Sequence, residues 1–283
     1  MAAALWKIAG DTHDLSGRAW IMGVLNVTPD SFSDGGQFLN VDAALTQGLR
    51  MAAEGAQILD VGGESTRPGA EAVTETEELR RVLPVISRLR GRCDAIVSID
   101  TSKAAVARAA VQAGATIIND ISGGRADEAM MGHAAESGAA FIIMHMQGTP
   151  RTMQADPQYD DVVSEVADFF RQQYGRALEC GIDPMAIAFD PGIGFGKTLA
   201  HNLALLRNLP RLRVEERPLV VGVSRKSFLG KVIESTDMND RAAPTVALTA
   251  LLRERGANVL RVHEVKANVS ALRATEALLE ARG

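Results

Sequence analysis

Four polar side chains in this sequence could together recognise a flat, nitrogen-rich ring. They are two carboxylates, an amide and an ammonium group: Asp100, Asn119, Asp190 and Lys226. A carboxylate can accept two N–H bonds side by side, and the amide and the ammonium group supply donors. If the fold brings these residues into one enclosed site, they would suit a heterocycle with several ring N–H donors and a carbonyl acceptor.

A second group of residues could bind a phosphate-bearing part of a ligand. Arg67, Arg261 and His263 would add positive charge near the mouth of such a site, and the arginine fork matches phosphate oxygens well. The net charge of −5 argues against the basic surface typical of nucleic-acid-binding proteins. The charges for an anionic ligand must therefore be gathered locally.

These residues lie within an alternation of short apolar runs and amphipathic segments. The eight runs are largely apolar on both faces, as buried parallel strands are; they cover residues 21–25, 58–61, 95–99, 116–118, 140–144, 186–189, 219–223 and 259–262. The segments between them predict helices, and Thr74 and Glu77 have the spacing of a capping box. We therefore predict an α/β protein, a single (β/α)8 TIM barrel with a short N-terminal extension, over residues 1–283. An open doubly wound sheet is the structural alternative.

Polar residues stand at the carboxyl ends of all eight predicted strands. In chain order they are Asn26, Glu64, Asp100, Asn119, His145, Asp190, Ser224 and His263. Parallel barrel strands deliver these ends to one rim, where barrel active sites are built. We therefore expect residues from the whole chain to meet around one pocket.

Each of these signals taken alone also has a structural interpretation. Asp100 could cap the following helix, and Asn119-Asp120 could form a turn. Residues 192–196, Gly-Ile-Gly-Phe-Gly, match a dinucleotide-binding fingerprint only loosely, because the spacing differs. Lys226 could be a solvated lysine, and His145, between two methionines, could be a core histidine. The joint placement at one end of successive strands favours the functional interpretation.

Composition predicts a soluble, cytoplasmic protein without nucleic-acid or membrane partners. Hydrophobic residues make up 46 % and charged residues 23 %, which is ordinary for a globular protein. Cys93 and Cys180 match no metal or redox spacing and suggest a reducing compartment. The first residues do not form a signal peptide, and no apolar run approaches the roughly 18 residues of a membrane span.

Motifs along nearly the whole chain resemble those of dihydropteroate synthases. The two most specific are residues 22–36, Met-Gly-Val-Leu-Asn-Val-Thr-Pro-Asp-Ser-Phe-Ser-Asp-Gly-Gly, and residues 60–69, Asp-Val-Gly-Gly-Glu-Ser-Thr-Arg-Pro-Gly. The others lie at residues 98–101, 119–124, 144–148, 190–197, 224–227 and 261–263. The resemblance implies condensation of 6-hydroxymethyl-7,8-dihydropterin pyrophosphate with p-aminobenzoate, which gives dihydropteroate and pyrophosphate.

The same resemblance assigns the site residues. It implies that the pterin is bound by Asp100, Asn119, Met144, Asp190, Lys226 and Arg261. It implies that the pyrophosphate is bound by Asn26, Arg67, Arg261 and His263, with Mg2+ near Asn26. It implies that p-aminobenzoate is bound by Thr66, Pro68, Phe195, Lys226 and Ser227. Asp100, Asp190 and Lys226 would be the catalytic residues of a dissociative reaction, in which pyrophosphate leaves before the amine attacks.

The resemblance further implies a homodimer and competitive inhibition by sulfonamides. The chain departs from the family's pattern at Glu264, where aspartate is common, and at Ile193, where a larger residue often stands. We expect the Glu264 change to be tolerated. The ordinary Ser-Thr-Arg-Pro sequence at residues 65–68 favours sulfonamide sensitivity.

Three other functions share parts of this pattern. A methyltetrahydrofolate-binding methyltransferase barrel would keep the aspartate and asparagine contacts to the pterin without the other two sites. A non-catalytic paralogue would bind a pterin only, and an aldolase-type barrel would use Lys226 as a Schiff-base lysine. The intact motifs at residues 65–68 and 224–227 favour the synthase.

Overall fold

The computed structural model describes residues 4–28, 37–66 and 69–281. An antiparallel hairpin of β1 (Leu5–Ile8) and β2 (Asp11–Asp14) comes first. Eight strands follow: β3 (Trp20–Asn26), β4 (Ile58–Gly62), β5 (Ile96–Asp100), β6 (Ile117–Asp120), β7 (Ala140–Met144), β8 (Ile187–Asp190), β9 (Val220–Gly222) and β10 (Val259–Val262). Each corresponds to one predicted apolar run, so the sequence pattern located every strand of the barrel.

The eight strands pair in parallel and close on themselves. Their order is β8-β7-β6-β5-β4-β3-β10-β9. Phe189 in β8 bridges in parallel to Leu219 beside β9, and its N–H donates to the carbonyl oxygen of Pro218 at 2.9 Å. The predicted (β/α)8 barrel with a short N-terminal extension is therefore confirmed, and the open doubly wound sheet is excluded.

Helices follow the strands on the outside of the barrel. They are α1 (Gln37–Ala53), α2 (Glu75–Leu89), α3 (Ala104–Ala113), α4 (Ala129–Ser137), α5 (Val162–Glu179), α6 (Leu199–Arg207), α7 (Ser227–Val232), α8 (Ala242–Glu254) and α9 (Val265–Glu280). Only half of the predicted capping box forms at α2: the Thr74 hydroxyl accepts from Glu77 N at 3.3 Å, but the Glu77 carboxylate accepts from Arg80 and Arg81. Within the described part of the chain, no helix combines the length and apolarity that crossing a membrane requires.

A buried ion pair fixes the amino-terminal end of the barrel. Arg253, near the end of α8, donates through Nε to Glu276 Oε1 in α9 at 3.0 Å. Its Nη2 donates to the carbonyl oxygens of Ser16 and Gly17, each at 2.8 Å. The same Glu276 oxygen accepts from the N–H of Ala19 at 2.6 Å. The pair therefore ties two outer helices to the segment that leads into β3.

The opposite, carboxyl-terminal end gathers the polar residues singled out in the sequence. Asn26, Asp100 and Asp190 are the last residues of β3, β5 and β8. Gly62 ends β4 and pairs in register with Asn26 on one side and Asp100 on the other. The strand register therefore brings side chains distant in sequence to one rim.

Candidate active site

Arg261 lies at the centre of a largely buried side-chain network at this rim. Its Nη2 donates to Asp100 Oδ2 and its Nε donates to Asp60 Oδ2, both at 2.6 Å. The same Asp60 oxygen accepts from Asn119 Nδ2 at 3.0 Å. Strands β4, β5, β6 and β10 thus each contribute one side chain. Asp100 does not cap α3; it pairs with an arginine 161 positions away.

Asp60 was not assigned to the site from the sequence. It stands in the middle of β4 and is fully buried. A signal was available, because aspartate interrupts the otherwise apolar run Ile58–Gly62. A buried carboxylate needs charged or hydrogen-bonding partners, so such a residue predicts a polar cluster even when its partners are unknown.

The surroundings of Asp100 favour its protonated form more than water does. Burial raises the pKa of Asp100 to about 7, against the lowering effect of Arg261, and nearby Asp60 adds to the rise. Burial opposes the charge on Arg261, but Asp60 and Asp100 together raise the pKa of Arg261 overall. The guanidinium therefore stays charged, while Asp100 can change its charge near neutral pH. Perturbed groups of this kind are typical of functional sites.

Asp190 and Lys226 form the other half of the site. Asp190 Oδ1 accepts from Gly192 N at 2.7 Å, and burial raises the pKa of Asp190 although Lys226 lowers it. Burial lowers the pKa of Lys226 to about 8, against the effect of Asp190. The Lys226 ammonium group donates to the carbonyl oxygen of Ile193 and lies 4.8 Å from the centre of the Phe195 ring. Lys226 is therefore an inward-facing group and not a solvated lysine.

The loop between β8 and α6 bends sharply enough to hold the Phe195 ring over Lys226. Its three glycines all have positive φ: 63° at Gly192, 82° at Gly194 and 61° at Gly196. A Cβ at Gly192 would lie 1.9 Å from the His145 carbonyl oxygen, so only glycine fits there. These glycines shape a loop beside Lys226, which accounts for the loose match to a dinucleotide-binding fingerprint.

Lys197, which was also not assigned from the sequence, ties this loop to the end of β7. Its Nζ donates to the Phe195 carbonyl oxygen at 2.9 Å and lies 3.0 Å from His145 Nδ1. Burial and the neighbouring Lys226 lower the pKa of Lys197 to about 7. Burial and Lys197 lower the pKa of His145 to about 2. His145 is buried and packs edge-on against Phe169, so its core interpretation is correct.

An apolar wall borders the polar network. Met144, the last residue of β7, belongs to a buried cluster with Ile121, Met146 and Met153, and Phe195 packs against it. Side chains of this kind suit the faces of a flat ring. A neighbouring cavity of about 330 Å³ is lined by residues that include Thr66, Asp100, Ile121 and Met146. Thr66 therefore lies at the edge of the site.

Two of the expected phosphate-binding residues flank the network. Asn26 Oδ1 lies 3.6 Å from the position that a Gly62 side chain would take, next to Asp100. His263 follows β10 directly, and its Nδ1 lies 2.9 Å from the Ser224 hydroxyl oxygen. Both are thus at the carboxyl-terminal rim: Asn26 ends the strand that pairs with β10, and His263 follows β10 itself.

Ser227 and the two departures, Ile193 and Glu264, lie beyond the carboxyl ends of strands β9, β8 and β10. Ser227 is the first residue of α7, whereas Arg67 and Pro68 lie outside the described residues. The Glu264 carboxylate accepts from Arg225 Nε at 2.7 Å. Ile193 is buried and contacts Lys226 through its backbone carbonyl, which does not depend on the side chain.

The combined geometry favours a particular charge distribution in a bound molecule. Asp60, Asp100 and Asp190 place three carboxyl groups around Arg261 and Lys226 in the deepest part of the site. Fixed charges in a site shielded from water act more strongly than they would in solution. The site would therefore stabilise positive charge that develops on a ring bound between these residues.

Comparison with known proteins defines the class of this site. A sequence model of the family described as "Pterin binding enzyme" matches residues 22–263. This range includes all the strand-end residues discussed above, from Asn26 to His263. The barrel and its charged rim are therefore those of a pterin-binding enzyme.

Individual relatives narrow the family further. A dihydropteroate synthase of Escherichia coli K12 is 44 % identical over 96 % of this chain and 96 % of its own length. One from Synechocystis is 45 % identical over 94 % and 92 %. The structure of Xanthomonas albilineans dihydropteroate synthase with 4-aminobenzoic acid has a TM-score of 0.91 at 45 % identity and covers 98 % of this chain and 99 % of that one. This chain belongs to the dihydropteroate synthase family.

Proposed function

We propose that this chain joins a dihydropterin to p-aminobenzoate with release of pyrophosphate, the dihydropteroate synthase reaction of folate biosynthesis. The observation that carries the proposal is the buried rim network in a chain 44 % identical to a named synthase over nearly its whole length. Structures of a relative with 4-aminobenzoic acid and with 7,8-dihydropteroate support a substrate and a product of the same kind.

The pterin would bind in the polar network with its faces against the apolar wall. Asp100, Asn119 and Asp190 would contact its N–H groups, and Lys226 would donate to its carbonyl oxygen. Met144 would cover one face, and Arg261 would exchange its contact with Asp100 for a position over the other. In this arrangement Asp100, Asp190 and Lys226, whose charged forms burial disfavours, would each gain a partner on the substrate.

The pyrophosphate would lie above the pterin at the rim. Asn26, Arg261 and His263, together with Arg67, would surround it with donors and positive charge. The described residues contain no group of three or more histidine, cysteine, aspartate or glutamate side chains able to hold a metal ion. One amide oxygen at Asn26 nevertheless fits Mg2+, which binds through few protein ligands together with substrate phosphates. Mg2+ held in this way would neutralise the leaving pyrophosphate.

The p-aminobenzoate would bind between the loops after β4 and β8. Thr66, Pro68, Phe195, Lys226 and Ser227 would form this part of the site. The start of α7 at Ser227 offers backbone N–H groups to its carboxylate. Since a Yersinia pestis relative at 45 % identity and TM-score 0.91 has been solved in a sulfonamide drug complex, we expect sulfonamides to compete with p-aminobenzoate here as well.

The reaction would proceed by a dissociative route. The bond between the pterin methylene carbon and pyrophosphate breaks first, and the electron pair leaves with pyrophosphate. Asp100 and Asp190 stabilise the positive charge that spreads over the pterin. The amine of p-aminobenzoate then attacks the methylene carbon and loses one proton to water. No covalent intermediate with the protein is needed, because positioning and fixed charge supply the rate acceleration.

The proposal extends to the state of the protein. We infer one domain over residues 1–283, a cytoplasmic location and a homodimer. Leu251 on α8 and Leu278 on α9 are exposed apolar side chains that a dimer contact could cover. Sedimentation velocity would test the dimer, for which a single species at the monomer mass is the contrary result.

The function is tested by incubating the purified protein with dihydropterin pyrophosphate, p-aminobenzoate and Mg2+. Dihydropteroate and pyrophosphate should appear in equal amounts and only when all three components are present. Binding of the pterin without either product would instead favour a methyltransferase-type or non-catalytic barrel.

A further inference from the structure

Asp60 is a carboxylic residue in the buried interior of the barrel, where a charged side chain is costly. It stands between Leu59 and Val61 in β4, pairs in register with Val24 and Ser98, and is fully buried. The carboxylate is two residues below the strand end, so it lies beneath the rim groups and not among them. Breaking a buried ion pair is costly, and replacing a whole pair by apolar residues is often neutral. Stability alone therefore does not explain an aspartate at this position.

One oxygen of Asp60 holds two side chains that flank the pterin site. Its Oδ2 accepts from Arg261 Nε at 2.6 Å and from Asn119 Nδ2 at 3.0 Å. Its Oδ1 is buried and has no hydrogen-bond partner among the described residues. We propose that Asp60 is a positioning residue, which fixes Arg261 and Asn119 from below and leaves their outer atoms directed to the substrate.

The bonding pattern specifies which atoms remain for the substrate. Arg261 uses Nε for Asp60, so its Nη groups stay available for Asp100 or for pyrophosphate. Asn119 uses one N–H for Asp60, and this bond selects the amide orientation that leaves Oδ1 and the second N–H for a ring edge. A carboxylate is suited to this task because it only accepts, and its negative charge strengthens its bond to the arginine.

Asp60 also contributes charge to the reaction. It carries the third carboxyl group of the deep site, beside Asp100 and Asp190, and a bound ring would lie close to it. Its charge would stabilise the pterin cation even without direct contact, because the site excludes water. The role rests on the proposed function, since a cation forms only if pyrophosphate departs first.

The test is Asp60→Asn in the full-length protein, compared with Glu276→Gln. Both changes remove a buried carboxylate charge bonded to an arginine, but Glu276 lies at the other end of the barrel. In Asp60→Asn the bonds to Arg261 and Asn119 lose the carboxylate charge, so we expect kcat to fall roughly 100-fold, as for the loss of one fixed group that stabilises the transition state, with the KM for p-aminobenzoate unchanged. The dissociation constant of 6-hydroxymethylpterin, measured by calorimetry, should rise about tenfold. Glu276→Gln should change none of these at a temperature where it is folded.

A pH profile separates positioning and charge from loss of structure. The charged groups that face Asp100 are Asp60 on β4, Arg261 on β10, Asp120 on β6, Glu78 on α2 and Lys226 before α7. Since Asp60 contributes to the raised pKa of Asp100, its neutralisation should move the acidic limb of kcat/KM to lower pH. The limb should stay in place in Glu276→Gln.

Three results would overturn the inference. One is an Asp60→Asn variant whose kcat, pterin affinity and pH profile change no more than those of Glu276→Gln. If Asp60→Asn does not fold, the test is NMR of the Arg261 Nε–H in the wild-type protein. This N–H should stay hydrogen-bonded when 6-hydroxymethylpterin binds. Loss of the hydrogen bond on binding would refute the positioning role. If the wild type binds the pterin but forms no dihydropteroate, the proposed function fails, and unchanged pterin affinity in Asp60→Asn would refute the positioning role separately.

Discussion

Each end of the barrel contains an arginine paired with a buried carboxylate, and the other partners of the two arginines differ. At the amino-terminal end, Arg253 donates to Glu276 and to two backbone carbonyl oxygens, and Glu276 accepts from a backbone N–H. At the carboxyl-terminal end, the acceptors of Arg261 among the described residues are the side chains of Asp60 and Asp100. Backbone partners lock an ion pair into the fold, whereas side-chain partners can be exchanged for a substrate.

Burial shifts the pKa of several groups at the carboxyl-terminal end. Burial raises the pKa of Asp100 and of Asp190 and lowers the pKa of Lys226 to about 8. These charges are therefore less favourable in the folded protein than in water, and a bound substrate would relieve the cost. The carboxyl-terminal end gives up stability for function, which is a common trade-off at active sites.

The largest effect is expected for Asp190→Asn. Because Asp190 is both a pterin contact and a source of negative charge, kcat/KM should fall roughly 1,000-fold. Because burial disfavours its charge, the thermal midpoint should stay the same or rise. Steady-state kinetics and calorimetry check both. A large loss of stability together with little loss of activity would contradict this prediction, because Asp190 would then have a structural role like that of the amino-terminal ion pair.

The amino-terminal pair should show the opposite behaviour. Glu276→Gln leaves Arg253 buried without its charged partner, which should lower the free energy of unfolding by about 3 kcal/mol. The kcat of the folded variant should stay within about twofold of wild type, because Glu276 lies at the opposite end of the barrel from the active site. Urea denaturation and kinetics at low temperature test this. A tenfold loss of kcat would show that the ends are coupled.

The pH dependence of stability and activity should show an effect of intermediate size, set by Asp100. Asp100 has a folded pKa of about 7, above the ordinary value of 3.8, so its contribution to stability is present at low pH and is lost as the pH rises through 7. Activity should move the other way, because the ionised carboxylate stabilises the pterin cation. Asp100→Asn should remove both slopes, as measured by unfolding and by kcat/KM across this range. Parallel slopes would contradict the assignment.

The smallest effect is expected at the departure from the family's pattern. Glu264 pairs with Arg225 on a partly exposed surface, and its side chain is 30 % exposed. Glu264→Asp should therefore change kcat/KM by about twofold or less. A change above tenfold would mean that the loop after β10 holds the pyrophosphate more directly than we propose.

The fold could be predicted because its signals are local. Each barrel strand is a short run buried on both faces, and β4, with every residue buried, shows why such runs lack alternation. The hairpin strand β2, Asp-Thr-His-Asp, is mostly exposed and has no apolar pattern, so only a short extension was predicted there. The single-domain boundary remains a prediction.

The residues of the site could be predicted from the sequence better than the hydrogen bonds between them. Asp100, Asn119, Asp190 and Arg261 stand at strand ends, and a barrel brings strand ends together whatever their spacing. That Arg261 meets Asp60, 201 positions away, depends on strand register and side-chain length, which no local pattern encodes. For the same reason the link from Lys197 to His145 was not foreseen.

The most direct test of this account is a crystal structure with 6-hydroxymethylpterin bound. The ring should lie among Asp100, Asn119, Asp190 and Lys226, with Arg261 displaced from Asp100 and still bonded to Asp60. A ring bound elsewhere, for example in the 580 Å³ groove lined by Arg50, Arg225 and Lys266, would contradict the assignment of the carboxyl-terminal network as the pterin site.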